Sequence, residues 1–338
     1  MSSGFRVAAV IPARDGLPDV LDAVASALEQ TLGPEQVVLV DDGSRDGTAA
    51  AVRARFGDRV TILERSCGSA GAARNAGWRA ASAPWIAFLD ADDLWFPEKL
   101  ATAAQCLARA PEAAWFFSDG SFRSLEGELR DSWLAAYADL PEPYVGQPLA
   151  ELFEVNFILT SSVVARRDLL EELGGFQERM THAEDLDLWI RMSRRSKATA
   201  SRRPLVRYQH RPGGLTRQVE SRLGGDVDLF HRLASDASLT PALRRRARRR
   251  EALAHFKLAM VSLREGRSTE ARRRVCRGWM FPERAGQVLL LWLASFLPRP
   301  LLEWVRGRGW AKRELAAPMA RVRRVALQGA PGGSGRRS

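Results

Sequence analysis

The sequence predicts an α/β fold, a Rossmann-like and mostly parallel sheet flanked by helices, with a helical, basic C-terminal extension. Three observations carry that expectation. From residue 6 to about 120, short apolar runs alternate with helix-periodic stretches. Two of the runs end in acidic turns, Asp41-Asp42-Gly43-Ser44 and Asp90-Ala91-Asp92-Asp93, placed where a strand's carboxyl end would lie. Charge is also divided: from Val219 onward 26 Lys and Arg face 10 Asp and Glu, whereas residues 1–218 carry 25 against 30.

Taken in order, Arg6–Ile11 reads as the first strand and Leu17–Gln30 as a helix with apolar positions at Leu17, Val20, Leu21, Val24 and Leu28. Gln36–Val40 is the second strand, and Asp46 is placed to cap a helix running to about Phe56. Val60–Leu63 is the third strand, Gly68–Ala81 a small-residue helix, and Trp85–Leu89 the fourth strand. Pro97–Ala110 is helical and Ala113–Ser118 a fifth strand. Asp119–Tyr144 loosens into acidic and aromatic residues, as an insertion or hairpin would. Ile158–Ala165 reads as a further strand, and Asp168–Leu173 as a short helix closed by Gly174-Gly175. Glu184–Arg194 is amphipathic, and Leu205–Tyr208 leads into a loop at His210-Arg211-Pro212-Gly213-Gly214. Beyond it, helices are expected at Leu239–Met260 and Thr269–Trp279, and disorder from Gln328. The expected domains are 1–218, 219–327 and a disordered 328–338.

Cys67, Cys106 and Cys276 lie far apart with no paired spacing, which argues against a disulfide framework or a zinc site. Val7–Ile11 is too short for a signal h-region, and Val288–Leu297 falls short of the roughly 20 residues a spanning helix needs. The expectation is a cytoplasmic protein, peripheral on the inner face of a membrane if the basic tail binds one.

Carboxylates crowded at Asp90, Asp92 and Asp93 repel one another, and a divalent cation relieves that repulsion. A solvated acidic loop has the same composition. Asp41-Asp42-Gly43-Ser44 alone fits a type I turn with Asx hydrogen bonds. Two acidic turns at one sheet edge face a single crevice, where open α/β sheets take ligands. The run from Gly68 to Gly77 suits close backbone approach, with Arg74 as a forked cation nearby, although tight helix–sheet packing needs the same small residues. It lacks the P-loop spacing. Glu184 and Asp185 either complement a helix dipole or supply a general base with a raised pKa. His210 is either structural or a metal ligand at a strand end.

The ordered set Val10-Ile11-Pro12-Ala13-Arg14-Asp15, Val40-Asp41-Asp42-Gly43-Ser44, Ala73-Arg74-Asn75, Asp90-Ala91-Asp92 and Glu184-Asp185 resembles the family 2 inverting glycosyltransferases of GT-A fold. The resemblance covers about residues 5–217. It implies that Asp90 and Asp92, flanking Ala91, hold ribose and the Mn²⁺ or Mg²⁺ that bridges a diphosphate. It puts base recognition on Pro12, Asp41 or Asp42, and Arg74, with Ala13, Arg14, Ala91 and Glu184 also in the nucleotide-sugar site. It implies Asp185 as catalytic base and His210 as a metal ligand. The partners that the resemblance implies are a nucleotide-sugar donor, with a UDP-sugar expected, and a glycan or lipid-linked glycan acceptor, in cell-surface polysaccharide assembly. Arg14-Asp15 replaces the family's usual Tyr-Asn and Ser66 a common Asn, which bears on the choice of base. No Gln-x-x-Arg-Trp motif occurs, so the processive polymerases fit poorly.

Two rivals are weaker. A haloacid-dehalogenase-type phosphatase needs Thr or Val where Leu94 stands, and its motif follows the first strand. A nucleic-acid-binding role for Arg244–Arg250 lacks a readable motif. Arginines interleaved with Trp279, Phe281, Trp292, Phe296, Trp304 and Trp310 suit an anionic membrane surface better than nucleic acid, so no nucleic acid is expected; a helical subdomain that packs its apolar side onto the body, with its arginines solvated, fits the same residues equally well.

Overall fold

The computed structural model describes residues 5–123, 129–209 and 219–278, with isolated positions between 286 and 296 and the pair Val325–Ala326. The chain divides into two compact units. The first comprises Met1–Leu152, Asn156–Pro212 and Arg324–Ser338; the second comprises Phe153–Val155 and Gly213–Arg323.

The first unit opens with β1 (Val7–Ala13), α1 (Asp19–Leu28), β2 (Gln36–Asp42), α2 (Thr48–Phe56), β3 (Thr61–Arg65), α3 (Ala70–Ala80) and β4 (Trp85–Phe88). Then come β5 (Leu94–Trp95), α4 (Lys99–Arg109), β6 (Ala113–Arg123), β7 (Leu129–Arg130), α5 (Leu134–Tyr137), β8 (Ala138–Asp139), β9 (Tyr144–Gly146) and α6 (Leu149–Leu152). β10 (Val164–Arg166), α7 (Arg167–Leu173), α8 (Glu184–Arg195) and β11 (Lys197–Tyr208) complete it. The main sheet has the order β3-β2-β1-β4-β10-β6-β11-β5. β1, β2, β3 and β4 are mutually parallel, as are β6 and β11, while β10 runs antiparallel between β4 and β6.

Alternation along β1 shows why both faces carry helices. Val7, Ala9, Ile11 and Ala13 join Val20, Ala23, Val24 and Ala27 of α1 and Leu100, Ala103 and Leu107 of α4 in one buried cluster. On the other face, Val10 meets α3 at Gly77. A Cβ there would lie 2.4 Å from Val10 Cγ1 and 3.0 Å from Val40 Cγ2, so only glycine lets α3 lie this close to the sheet. α8 covers the same sheet further along, with Trp189 stacked on Trp115 at 6.2 Å between ring centroids.

Three expectations are amended by tertiary contacts. The run Ile158–Ala165 is not one strand: a 3-10 turn at Thr160–Ser162 interrupts it, because Ser162 Oγ donates to Leu159 O and Ser161 Oγ to a buried carboxylate. Leu205–Tyr208 is only the end of β11, which begins at Lys197 and passes two register shifts around Pro204. Gly47, not Asp46, is the N-cap of α2, in a left-handed conformation, although Asp46 Oδ1 still accepts from Thr48 N at 3.0 Å.

The second unit holds α9 (Val219–Ser235), α10 (Pro241–Arg264) and α11 (Ser268–Gly278). Thr240 caps α10 by accepting from Leu243 N, with Pro241 in the first turn where its missing N–H costs nothing. Phe256, Ala259, Met260 and Val275 form its core with Trp292 against them. Some of the arginines are internal struts: Arg250 pairs with Asp226 at 3.2 Å and Arg267 with Glu220 and Glu270. No helix among the described residues is long and apolar enough to cross a membrane. The segment from Gln328, expected to be disordered, lies outside the described residues.

Candidate active site

The carboxyl ends of β1, β2 and β4 come together because their registers match, with Ala13 opposite Asp41 and Val10 opposite Phe88. The turns after β1 and β2 are sewn to each other. Asp15 N donates to Ser44 Oγ at 2.9 Å, Arg45 N donates to Asp15 Oδ1 at 2.7 Å, and Gly16 N donates to Thr48 Oγ1 at 3.0 Å. Asp41 is buried and caps its own turn, accepting from Ser44 N at 2.8 Å. Asp42 does something different. Its Oδ1 accepts from Cys67 N at 2.5 Å and Gly68 N at 3.0 Å, tying the loop before α3 to the end of β2. Arg14 is exposed, with its Nη1 4.0 Å from Asp42 Oδ2, while Pro12 is half-buried and Ala13 buried beneath it.

Arg74 is the hub of the site. It is 6% exposed, and its fork reaches Asp90 Oδ1 at 2.7 Å with one nitrogen and Glu184 Oε1 at 3.0 Å with the other. The guanidinium also lies over the Phe176 ring at 5.3 Å. Burial works against its charge, but Asp90 and then Glu184 outweigh burial and raise its pKa further still, so it is a permanent cation. One residue on, Asn75 pins the approach to α8: its Nδ2 donates to Phe176 O at 2.8 Å and its Oδ1 accepts from Phe176 N at 2.9 Å. α3 thereby fixes both the acidic turn after β4 and the start of α8.

In that turn Asp90 and Asp92 are half-buried and flank Ala91, whereas Asp93 is 2% exposed. Ser161 Oγ donates to Asp93 Oδ2 at 2.5 Å and accepts from Asp90 N at 3.0 Å, and Gln209 N donates to Asp93 Oδ1 at 3.1 Å. Burial, followed by the charges of Asp90 and Asp92, pushes the Asp93 carboxyl well above the usual range. Beneath it, Trp95 Nε1 donates to Ser161 O at 2.7 Å, and the fully buried Lys99 places its Nζ 3.9 Å from the Trp95 ring centroid. Burial alone holds that ammonium well below its ordinary pKa. Asp90 and Asp92 offer carboxylate oxygens on a half-buried turn, the kind of donor that suits a hard dication. Among the described residues no three His, Cys, Asp or Glu side chains close into a cage. His210 lies outside the described residues.

Asp185 sits in the first turn of α8, next to Glu184. It is partly exposed, and its Oδ2 accepts from Asn156 Nδ2 at 3.1 Å and Thr160 Oγ1 at 3.5 Å. Burial and then the charge of Glu184 push its pKa up to about 6, against the opposing pull of Leu186 N, Arg74 and Asn156. A carboxylate so poised takes up protons near neutrality.

The geometry joins Arg74, Asp90, Glu184 and Asp185 in one connected cluster, and ties Asp42 to the loop that enters α3. Asn156, Thr160 and Ser161 were not legible as site residues: Thr160 and Ser161 fall in the run Ile158–Ala165 that reads as a strand, and Asn156 lies just before it. A run of three hydroxyl residues inside an apolar stretch, Thr160-Ser161-Ser162, was the available signal.

Residues 8–174 match the family model described as glycosyl transferase family 2. The chain is 25% identical over 189 residues to an uncharacterized glycosyltransferase of Rickettsia felis, covering 56% of this chain and 31% of that protein. It is 34% identical over 194 residues to the succinoglycan biosynthesis protein ExoO of Rhizobium meliloti, covering 52% and 55%. The chain thus spans about a third to about half the length of these relatives. Among solved structures it resembles residues 1–349 of TarS from S. aureus in complex with UDP-GlcNAc, at a TM-score of 0.63, 18% identity and coverage of 89% and 87%. It also resembles the mannosyltransferase PcManGT from Pyrobaculum calidifontis in complex with GDP-Man and Mn²⁺, at a TM-score of 0.58, 20% identity and coverage of 94% and 86%. These likenesses carry the fold, which is GT-A. Motif order, strand topology and family match agree, and through residues 8–174 this chain belongs to glycosyl transferase family 2.

Proposed function

We propose that the first unit is an inverting glycosyltransferase that moves a sugar from a nucleoside-diphosphate donor, with uridine the preferred base, to an acceptor hydroxyl. The single observation that carries it is Asp185: a carboxyl with its pKa raised to about 6, joined through Glu184 and Arg74 to the acidic turn after β4. The acceptor oxygen attacks the anomeric carbon, Asp185 takes its proton, and the anomeric carbon–phosphate oxygen bond breaks to release the nucleoside diphosphate. Attack from the face opposite the leaving group inverts the centre. Asp90, oriented by Arg74, would meet the ribose; Asp42, Arg14 and Pro12 would line the base. Asp92 would hold Mn²⁺ or Mg²⁺, with His210 as the further ligand implied by the family; bound there, such an ion offsets charge developing on the departing diphosphate. The UDP-GlcNAc complex of TarS and the GDP-Man complex of PcManGT support a nucleoside-diphosphate sugar as donor, and the succinoglycan biosynthesis relative ExoO supports a place in polysaccharide assembly.

Thermal melting with UDP, GDP, ADP and dTDP, each with and without Mn²⁺, tests this reading. UDP with Mn²⁺ should raise the melting temperature most, since ligand at 100 times its Kd adds about 2.7 kcal/mol. No shift with any nucleotide, with or without the ion, would reject the reading.

For the second unit we propose attachment to an anionic bilayer surface. Leu289, Leu293 and Phe296 are 44%, 50% and 57% exposed at helix-like spacing, and the Arg272 guanidinium lies 4.8 Å from the Phe296 ring centroid. Full-length protein should sediment with phosphatidylglycerol-containing vesicles and stay in solution with neutral phosphatidylcholine. Leu293→Asp/Phe296→Asp should abolish the sedimentation; equal partitioning of the double variant and wild type would remove the membrane role of this stripe. The acceptor would then be a glycan on a lipid carrier.

A further inference from the structure

Four aromatic residues gather at the rim of the site, and no step of the proposed reaction uses them. The Trp133 ring lies 5.5 Å from Phe122, 4.6 Å from Tyr137 and 5.6 Å from Tyr208, centroid to centroid, and all four residues are only partly buried. Trp133 is held firmly. Its backbone N donates to Gly120 O at 2.7 Å and its Nε1 to Phe157 O at 3.0 Å. Asp119, 3% exposed, clamps both neighbours: it accepts from Ser132 Oγ at 2.5 Å and from Leu134 N at 2.8 Å. Gly120 lets β6 press against the next segment, since a Cβ there would lie 2.7 Å from Leu159 Cδ1 and 3.0 Å from Val206 O.

Each anchor leads back to the chemistry. Phe157 stands between Asn156 and Thr160, the two side chains that hold the Asp185 carboxylate. Tyr208 pairs with Phe122 in the β6–β11 register, and the next residue, Gln209, donates its N–H to Asp93. The ring cluster is therefore fastened on one side to the cradle of Asp185 and on the other to the acidic turn. We infer that Trp133, backed by Phe122, Tyr137 and Tyr208, is a stacking platform for a pyranose ring of the acceptor. This rests on the glycosyltransferase reading for the word acceptor. A pyranose has one face rich in partly positive C–H groups, and the face of an indole carries the complementary negative quadrupole. A pre-positioned ring also loses little freedom when it binds.

Two measurements on the full chain test the platform. In protein labelled with 5-fluorotryptophan, the ¹⁹F line of Trp133 is assigned by its loss in Trp133→Phe. Titration with the methyl β-pyranosides of glucose, galactose and N-acetylglucosamine should move that line saturably for at least one of them. A line that none of the three moves overturns the platform. With the same pyranosides offered as acceptors, the ratio of sugar transfer to donor hydrolysis should fall roughly tenfold or more in Trp133→Ala, the scale on which stacked rings contribute elsewhere. Trp133→Tyr should recover part of it; a ratio for Trp133→Ala within about twofold of wild type also overturns the proposal. Movement of the Trp133 line without any melting response to UDP and Mn²⁺ would instead keep the sugar platform and reject the donor chemistry.

Discussion

Asp185→Asn should lower turnover by about 10²–10⁴ while nucleotide binding persists, because the substitution removes a positioned base and leaves the fold of the cleft in place. Asn keeps the size of the side chain and can still meet Asn156 and Thr160, the partners that orient position 185. Wild-type kcat/KM should rise with pH through about 6, where the Asp185 carboxyl loses its proton. Residual activity in the Asn variant should not show that limb. The assignment of the base fails if Asp185→Asn turns over within a few-fold of wild type, measured by nucleoside-diphosphate release.

The same shift fixes the sign of a stability effect. The folded chain holds the Asp185 proton up to about pH 6, whereas an unfolded Asp releases it near 3.8. Between those values the folded state binds more protons, so this group favours folding at acid pH, and its contribution is lost as pH rises through about 6. Asp185→Asn keeps a neutral side chain at every pH. At pH 8 and without ligand it should therefore be more stable than wild type, by at most about 3 kcal/mol, and the gap should close below pH 4. A variant that is inactive and less stable at pH 8 would mean that position 185 serves packing instead.

How much of this was open to sequence follows from where each element gets its order. β1, β2 and β4 were legible because strands buried on both faces must be continuous apolar runs, and their acidic ends are abrupt. α8 was legible from its amphipathic spacing. The antiparallel β10 was legible only in part: the expected strand Ile158–Ala165 takes in Val164 and Ala165, but three residues wedged between β4 and β6 carry no periodicity that marks where the strand begins or which way it runs. The first half of β11 was not legible, because Lys-Ala-Thr-Ala-Ser-Arg-Arg-Pro is polar and irregular and takes its strand character from β6 and β9. Within the site, the residue types of Asp90, Arg74 and Asp185 were visible, but not the fact that Arg74 spends its fork on Asp90 and Glu184. That contact joins residues 110 apart in the chain and exists only once α3 and α8 meet. Asn156 and Ser161 were invisible for the same reason.

Arg74→Met should destabilise the protein by about 3–5 kcal/mol, the cost of leaving buried carboxylates without their counter-charge. Methionine nearly fills the volume, so the loss is electrostatic and not a cavity. Asp90 would still be partly hydrated, but Glu184 is 9% exposed and beside Asp185, so its charge has nowhere to go. Arg74→Lys should help little, because a single ammonium cannot place one nitrogen 2.7 Å from Asp90 and another 3.0 Å from Glu184. The decisive variant is Arg74→Met/Asp90→Asn/Glu184→Gln, in which all three charges vanish together. If the guanidinium exists to neutralise the two carboxylates, denaturant titration should show the triple variant recovering most of the stability that Arg74→Met loses, while sugar transfer stays abolished. Should Arg74→Met melt within about 1 kcal/mol of wild type, the bridge contributes too little to explain the burial of Arg74, and its fork is better assigned to the nucleotide than to the frame of the cleft.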